Sequence, residues 1–236
     1  MYRLYLVRLI IILLILVSFS ALPVYSQPTA QSTKWGFGIT GNYFLPIFNL
    51  NERFAGGLQY GFKWSYCKNS TTYDIQYIYS KFSSGKIEEA TFQWVYDGNQ
   101  YTSPDASSEI HCSGVMGNLQ QPIKFGFGNF LPYWNIGAGF IYYEHQIKDL
   151  VFPGQSIPPI DYTFTYSPDK ESNTALSINF GGGLHYPLTR QFDLALDLKY
   201  YILISYLRPM EAWLLEKVSP IQLFAVGLDL TYYFGK

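Results

Sequence analysis

Few side chains in this 236-residue chain could carry covalent chemistry, and three histidines, His111, His145 and His185, come first. Serine-based hydrolysis needs a hydroxyl and an imidazole within hydrogen-bond reach on one accessible surface. His111 and Ser113 lie two residues apart, which in an extended strand puts both on one face. No nucleophile motif surrounds them. The three histidines are scattered without metal-ligand spacing, so the expectation is no catalytic residue, no metal site, no cofactor and no enzyme.

Cys67 and Cys112 are the remaining reactive groups. An exported protein can form disulfides. The strand order set out below puts them at opposite ends of non-neighbouring strands, so both thiols are expected to stay free.

The elements that position these groups are strands. In the last segment, "IQLFAVGLDLTYYF", Phe224, Val226, Leu228, Leu230, Tyr232 and Phe234 alternate with Leu223, Ala225, Gly227, Asp229, Thr231 and Tyr233. A period of two predicts a β-strand with two differently solvated faces. Seven earlier segments behave alike, near 34–44, 54–66, 73–82, 110–127, 132–145, 174–186 and 192–206. The fourth alternates least cleanly, with Val115, Leu119, Ile123, Phe125 and Phe127 on its outward side.

The connections alternate long and short, with long ones near 45–53, 83–109, 146–172 and 207–219. That alternation, with short turns on the periplasmic side, marks a membrane β-barrel. An even strand number puts both termini in the periplasm. Eight antiparallel strands close on themselves and leave no unpaired edge, which lipid requires.

The N-terminus agrees. Arg3 and Arg8 precede or flank the apolar run Leu9 to Val17, which is short for a membrane helix, and compact residues lead to Ser26. Residues 1–26 read as a secretory signal, leaving 27–236 as one barrel domain. Losing that segment takes the formal net charge from −1 to −3, which offers no footprint for nucleic acid. Charged residues are only 14% of the chain and aromatics 19%. That is too oily for a soluble surface. The localisation expected is a bacterial outer membrane.

The stretches "QQPIKFGFGNFLPYWNIGAGFIYY", "NFGGGLHYPLTRQFDLALDLKYY" and "VGLDLTYYF" resemble the eight-stranded outer-membrane barrels of the OmpA/OmpX-like type, particularly the outer membrane protein beta-barrel domain group. The resemblance spans nearly the whole mature chain. It implies an all-β, up-and-down transmembrane barrel inserted by the barrel assembly machinery, with Tyr232 and Phe234 as the C-terminal insertion signal, two residues before Lys236. Some barrels of this type hydrolyse or transfer lipid A acyl chains, the activity that His111 would serve.

Inside the barrel, Lys63, Asp74, Lys124, Asp193, Asp197, Lys199 and Asp229 fall on the inward faces. Enclosed opposite charges are expected to pair, because an unpaired buried charge is costly. They form either a structural plug or the lining of a small pore. The long connections are the expected working surface. Asp97-Gly98-Asn99 is a hairpin turn signal whose flanks present Phe92, Trp94, Tyr96 and Tyr101. A short helix carrying Trp213 is expected in the last long connection. Besides membrane lipid, the expected partner is an extracellular protein or a glycan.

Overall fold

The computed structural model describes residues 33–51, 54–85, 92–93, 100–102, 107–123, 128–149, 169–205 and 220–234. Ten strands lie among these described residues. They are β1 (Lys34–Pro46), β2 (Gly57–Lys68), β3 (Thr71–Phe82), β4 (Phe92–Gln93), β5 (Gln100–Tyr101), β6 (Ser107–Pro122), β7 (Leu131–Lys148), β8 (Asp169–Pro187), β9 (Phe192–Ile204) and β10 (Ile221–Phe234). Eight of them form a closed barrel in the order β1-β10-β9-β8-β7-β6-β3-β2, and β4 and β5 make a separate two-stranded ladder.

Every barrel pair is antiparallel, and the first and last strands close the wall from Trp35 opposite Phe234 to Pro46 opposite Leu223. The closed, eight-stranded, antiparallel all-β barrel expected from the sequence is therefore present. The fourth barrel strand runs from Ser107 to Pro122, rather than from Ile110 to Phe127. Its alternation is blurred because Ile110, Cys112 and Met116 make its inward face apolar too.

At one end the connections are short. Asn69 and Ser70 both have positive φ, 51° and 69°. This is the two-residue hairpin turn whose twist suits paired strands. In the β8–β9 turn, Thr189 Oγ1 accepts the N–H groups of Gln191 and Phe192. The long connections leave the other end.

The outward face is apolar and open. Trp35, Trp64, Tyr73, Trp134, Phe192 and Phe234 are exposed near the short-turn end, Ile39, Ile75, Ile136, Ile178 and Leu228 along the middle, and Tyr43, Tyr60 and Tyr142 nearer the long-connection end. Trp35 and Tyr43 are eight residues apart. That is about 27 Å along the strand and about 20 Å along the axis of a tilted barrel. Two aromatic girdles bounding an apolar band of roughly 25 Å are the pattern of a barrel in lipid.

Candidate functional site

The lumen has two layers of different chemistry. Towards the short-turn end lie the charges. Lys63 Nζ of β2 donates to Asp229 Oδ2 of β10 at 2.7 Å, and Lys199 Nζ donates to Asp197 Oδ2 at 2.7 Å along β9. All four are between 1% and 4% exposed. These pairs are therefore desolvated and depend on each other. Tyr133 Oη donates to Asp197 Oδ1, and its ring lies 4.2 Å from that of His185. His185 Nδ1 in turn meets Asp193 at 2.5 Å, and its Nε2 meets Gln120 at 3.2 Å.

Beside the charges runs a belt of amides. Asn135 donates to Asn179 at 2.7 Å, Asn179 to Asn118 at 2.9 Å, Asn118 to Gln76 at 3.4 Å and Gln76 to Thr40 at 3.0 Å. Asn42 donates to Thr40 at 3.0 Å and to Gln59. The belt thus joins β7, β8, β6, β3, β1 and β2 through the lumen. Two glycines give it room: a Cβ at Gly137 would overlap Asn118 Oδ1, and one at Gly227 would overlap Asn42 Oδ1.

Towards the long-connection end the lumen is apolar. Phe44 stacks on Phe82 with centroids 6.0 Å apart and meets the edge of Tyr201 at 5.1 Å. The β1–β2 connection folds inward to finish this plug. It turns through a 3-10 segment, Phe48–Leu50, and buries Leu50 and Phe54. Phe54 is held by a bridge to Ser84 and by the N–H of Ala55 donating to Ser83 O at 3.1 Å. A cavity of about 20 Å³ lies among Leu50, Phe54, Ile110, Tyr143 and Leu203. Its walls are apolar, so it stays dry.

Above the apolar band, β6, β7 and β8 continue and their outward faces become charged. Lys81 meets Glu109 at 2.6 Å, Lys148 meets Glu109 at 3.4 Å and Lys170 meets Glu144 at 3.0 Å. The Lys81 hydrogen bond holds the Glu109 carboxyl below the usual range. At this height, on the inward side, His145 Nε2 contacts Ser108 Oγ at 2.8 Å beneath the ring of Phe54, 5.6 Å away. Burial pushes the His145 imidazole down to about 4.

The structure brings together Lys63, Asp229, Asp197 and Lys199 in two ion pairs, and places Asp193 with His185. Asp74 is buried, forms no ion pair among the described residues and has an unpartnered carboxylate oxygen, Oδ1, where pairing was expected. Lys124, Trp94, Tyr96 and Trp213 lie outside the described residues, as does the helix expected around Trp213. Phe92 and Tyr101 are register partners in the β4–β5 ladder. The rings of Tyr232 and Phe234 meet edge to face with centroids 5.2 Å apart, with Phe234 on the exposed face.

His111 and Ser113 do share the outward face, but His111 Nδ1 bonds Tyr79 Oη at 2.8 Å. Cys67 and Cys112 are both free. The apolar plug and the His145–Ser108 contact were not foreseen. Their signal is in the sequence, since "YYILISY" and "IQLF" are apolar on both faces at the same end of the barrel.

Comparison with known proteins follows the geometry. The chain resembles a major outer membrane protein from Thermus thermophilus at 13% identity, with 85% of this chain and 99% of that one covered and a TM-score of 0.53. It also aligns with the neisserial surface protein NspA, at 11% identity, 85% and 97% coverage and a TM-score of 0.49. A third is Ail, the attachment invasion locus protein of Yersinia pestis, in complex with the heparin analogue sucrose octasulfate, at 12% identity, 86% and 97% coverage and a TM-score of 0.39. No curated protein sequence matches. A model of the outer membrane protein beta-barrel domain matches residues 12–234, nearly the whole chain, and the closed eight-stranded wall is the fold that name describes. The chain belongs to the outer membrane protein beta-barrel domain family.

Proposed function

We propose that the protein is an integral, non-conducting barrel of a bacterial outer membrane that works at the cell surface through the end bearing its long connections. Residues 1–26 serve as the secretory signal and 27–236 as the barrel. The short turns face the periplasm with both termini, and Tyr232 and Phe234 contribute the signal for the barrel assembly machinery. The aromatic girdles and the uncharged band between them support the membrane placement. Phe92, Trp94, Tyr96, Tyr101 and Trp213, on the long connections, offer aromatic contact to an extracellular protein or glycan.

The observation that carries this reading is the filled lumen. Ions leaving the charged layer would meet Phe44, Phe82, Tyr201 and then Phe54, all at most 3% exposed. Partnered residues in the polar layer likewise favour a plug. The experiment is single-channel recording of the full protein in planar bilayers. No conductance above the bare bilayer is expected, and regular steps would overturn the reading in favour of a small pore. Lipid A hydrolysis is disfavoured by the Ser108–His145 pair itself, which lies under Phe54 with an imidazole made a poor base by burial.

A further inference from the structure

The outward charges of the barrel wall are unevenly placed. Near the long-connection end, β3, β6, β7 and β8 carry Lys81, Glu109, His111, Glu144, Lys148 and Lys170 on the outward face. On the opposite side, the outward residues at the corresponding strand ends are Ile204, Gln222, Leu45 and Leu58, none of them charged. The cations occupy neighbouring places in the ladder. Lys81 pairs in register with His111, His111 with Glu144, and Gln146 with Lys170. Lys148 is therefore the diagonal neighbour of Lys170, roughly 7–8 Å away by strand geometry. All three lysines remain about half exposed despite their carboxylate partners.

The patch begins where the apolar band ends. Below Lys81 on its strand come Tyr79 and Tyr77, and below Glu144 come Tyr142 and Phe140. Side chains at that height lie against lipid headgroups, not in bulk water. Three ammonium groups outnumber two carboxylates, and a lysine keeps donors free after one ion pair.

We infer that Lys81, Lys148 and Lys170 form a one-sided clamp for the phosphate groups of a phosphorylated glycolipid in the surrounding outer leaflet. The two carboxylates act as spacers that hold the ammonium groups apart and extended. A phosphomonoester then bridges neighbouring lysines, and its acyl chains lie on the Val115, Phe140 and Leu176 surface below. The inference rests on the membrane placement proposed above, and it adds a fixed lipid on the β6–β8 side of the barrel.

The test reconstitutes the full protein in phosphatidylcholine vesicles carrying either bis-phosphorylated lipid A or the same lipid after phosphate removal. Native mass spectrometry of the extracted barrel reads the retained glycolipid. Each lysine near an anionic surface is worth about fivefold in affinity. The variant Lys81→Gln/Lys148→Gln/Lys170→Gln is thus expected to bind the phosphorylated lipid at least about tenfold more weakly, after allowing for the paired carboxylates. Lys68→Gln, at the short-turn end, should bind as the parent does.

Equal retention by the triple variant, equal retention of dephosphorylated lipid, or displacement by millimolar inorganic phosphate would each overturn the clamp. Unboiled gel mobility in phosphatidylcholine alone separates the two readings. A folded, inserted barrel with no phosphate preference removes the clamp and keeps the placement. A barrel that never enters the vesicles removes both.

Discussion

Lys63 reaches Asp229 across Gly38. The two residues stand on β2 and β10, the strands that flank β1, and Gly38 is the ladder neighbour of Lys63 on one side and of Thr231 on the other. A Cβ at Gly38 would lie 3.2 Å from Lys63 Cε and closer still to Thr231, so the missing side chain is what admits the lysine.

Breaking that pair from one side leaves a desolvated charge. Lys63→Met is expected to destabilise the barrel by about 3–5 kcal/mol, and Lys63→Met with Asp229→Leu to recover most of the loss. Urea unfolding in detergent, followed by gel mobility, measures both. A double variant as weak as the single one would show that the rest of the charge layer depends on this pair.

Ile39 is 59% exposed and sits midway between Trp35 and Tyr43 on β1. In a bilayer Ile39→Lys should cost about 2–4 kcal/mol, the value for a lysine near the midplane. Unfolding in vesicles should register that loss. An unchanged stability would contradict the membrane placement.

The plug should be removable. Phe44→Ser with Phe54→Ser and Phe82→Ser takes away the stacked rings and the inward-folded residue above them, and wets the outer half of the lumen. Recorded beside the parent, this variant is expected to conduct where the parent is silent, provided its unboiled band confirms a closed barrel. Silence from a closed, plug-free barrel would mean that the charge and amide layers also block the path.

His145 predicts acid sensitivity at the mouth. Its imidazole titrates near 6.5 in an unfolded chain and at about 4 in the barrel, because burial disfavours the charged form. The folded state therefore binds fewer protons, and stability falls as pH drops from about 6.5 to about 4. Below that the loss is complete. Glu171 stands opposite His145 on β8, and Ser108 and Phe54 close the other sides. His145→Gln should flatten the pH dependence of hydrogen exchange at Phe54 and Ala55, which mass spectrometry can follow.

The amide belt should tolerate no side chain at its two gaps. Gly137→Val and Gly227→Val place carbon where Asn118 and Asn42 hold their oxygens, and the expected outcome is a barrel that no longer refolds into detergent micelles. Gly41, whose Cβ would meet nothing within 4 Å, is the matched control.

The wall of the barrel was legible because one physical rule governs it. The residues that face outward along the band, from Phe37 to Leu228, are apolar or small, so alternation showed through and the strand count followed. The lumen obeys no such single rule. Lys63, Asp197, Lys199 and Asp229 could be read as inward and mutually paired. Which lysine takes which carboxylate depends on curvature and on Gly38, and Asp74 was left outside the pairs. At the long-connection end β6 inverts the pattern, with Ile110, Cys112 and Met116 inward and Glu109, His111 and Ser113 outward, which hid its period and the plug it lines. The phosphate-clamp lysines are legible only in register, because Lys81 and Lys170 are 89 positions apart in the chain and three ladder steps apart on the wall.

The seam between β1 and β10 sets the order of events in making this molecule. Those strands are the first and last of the wall, and twelve register pairs from Trp35–Phe234 to Pro46–Leu223 join them. A chain made only as far as β9 carries two raw margins, on β1 and β9, and a lumen without Asp229, the carboxylate that Lys63 needs. Sealing therefore waits for β10, and a chain made only as far as β9 is held open along one seam.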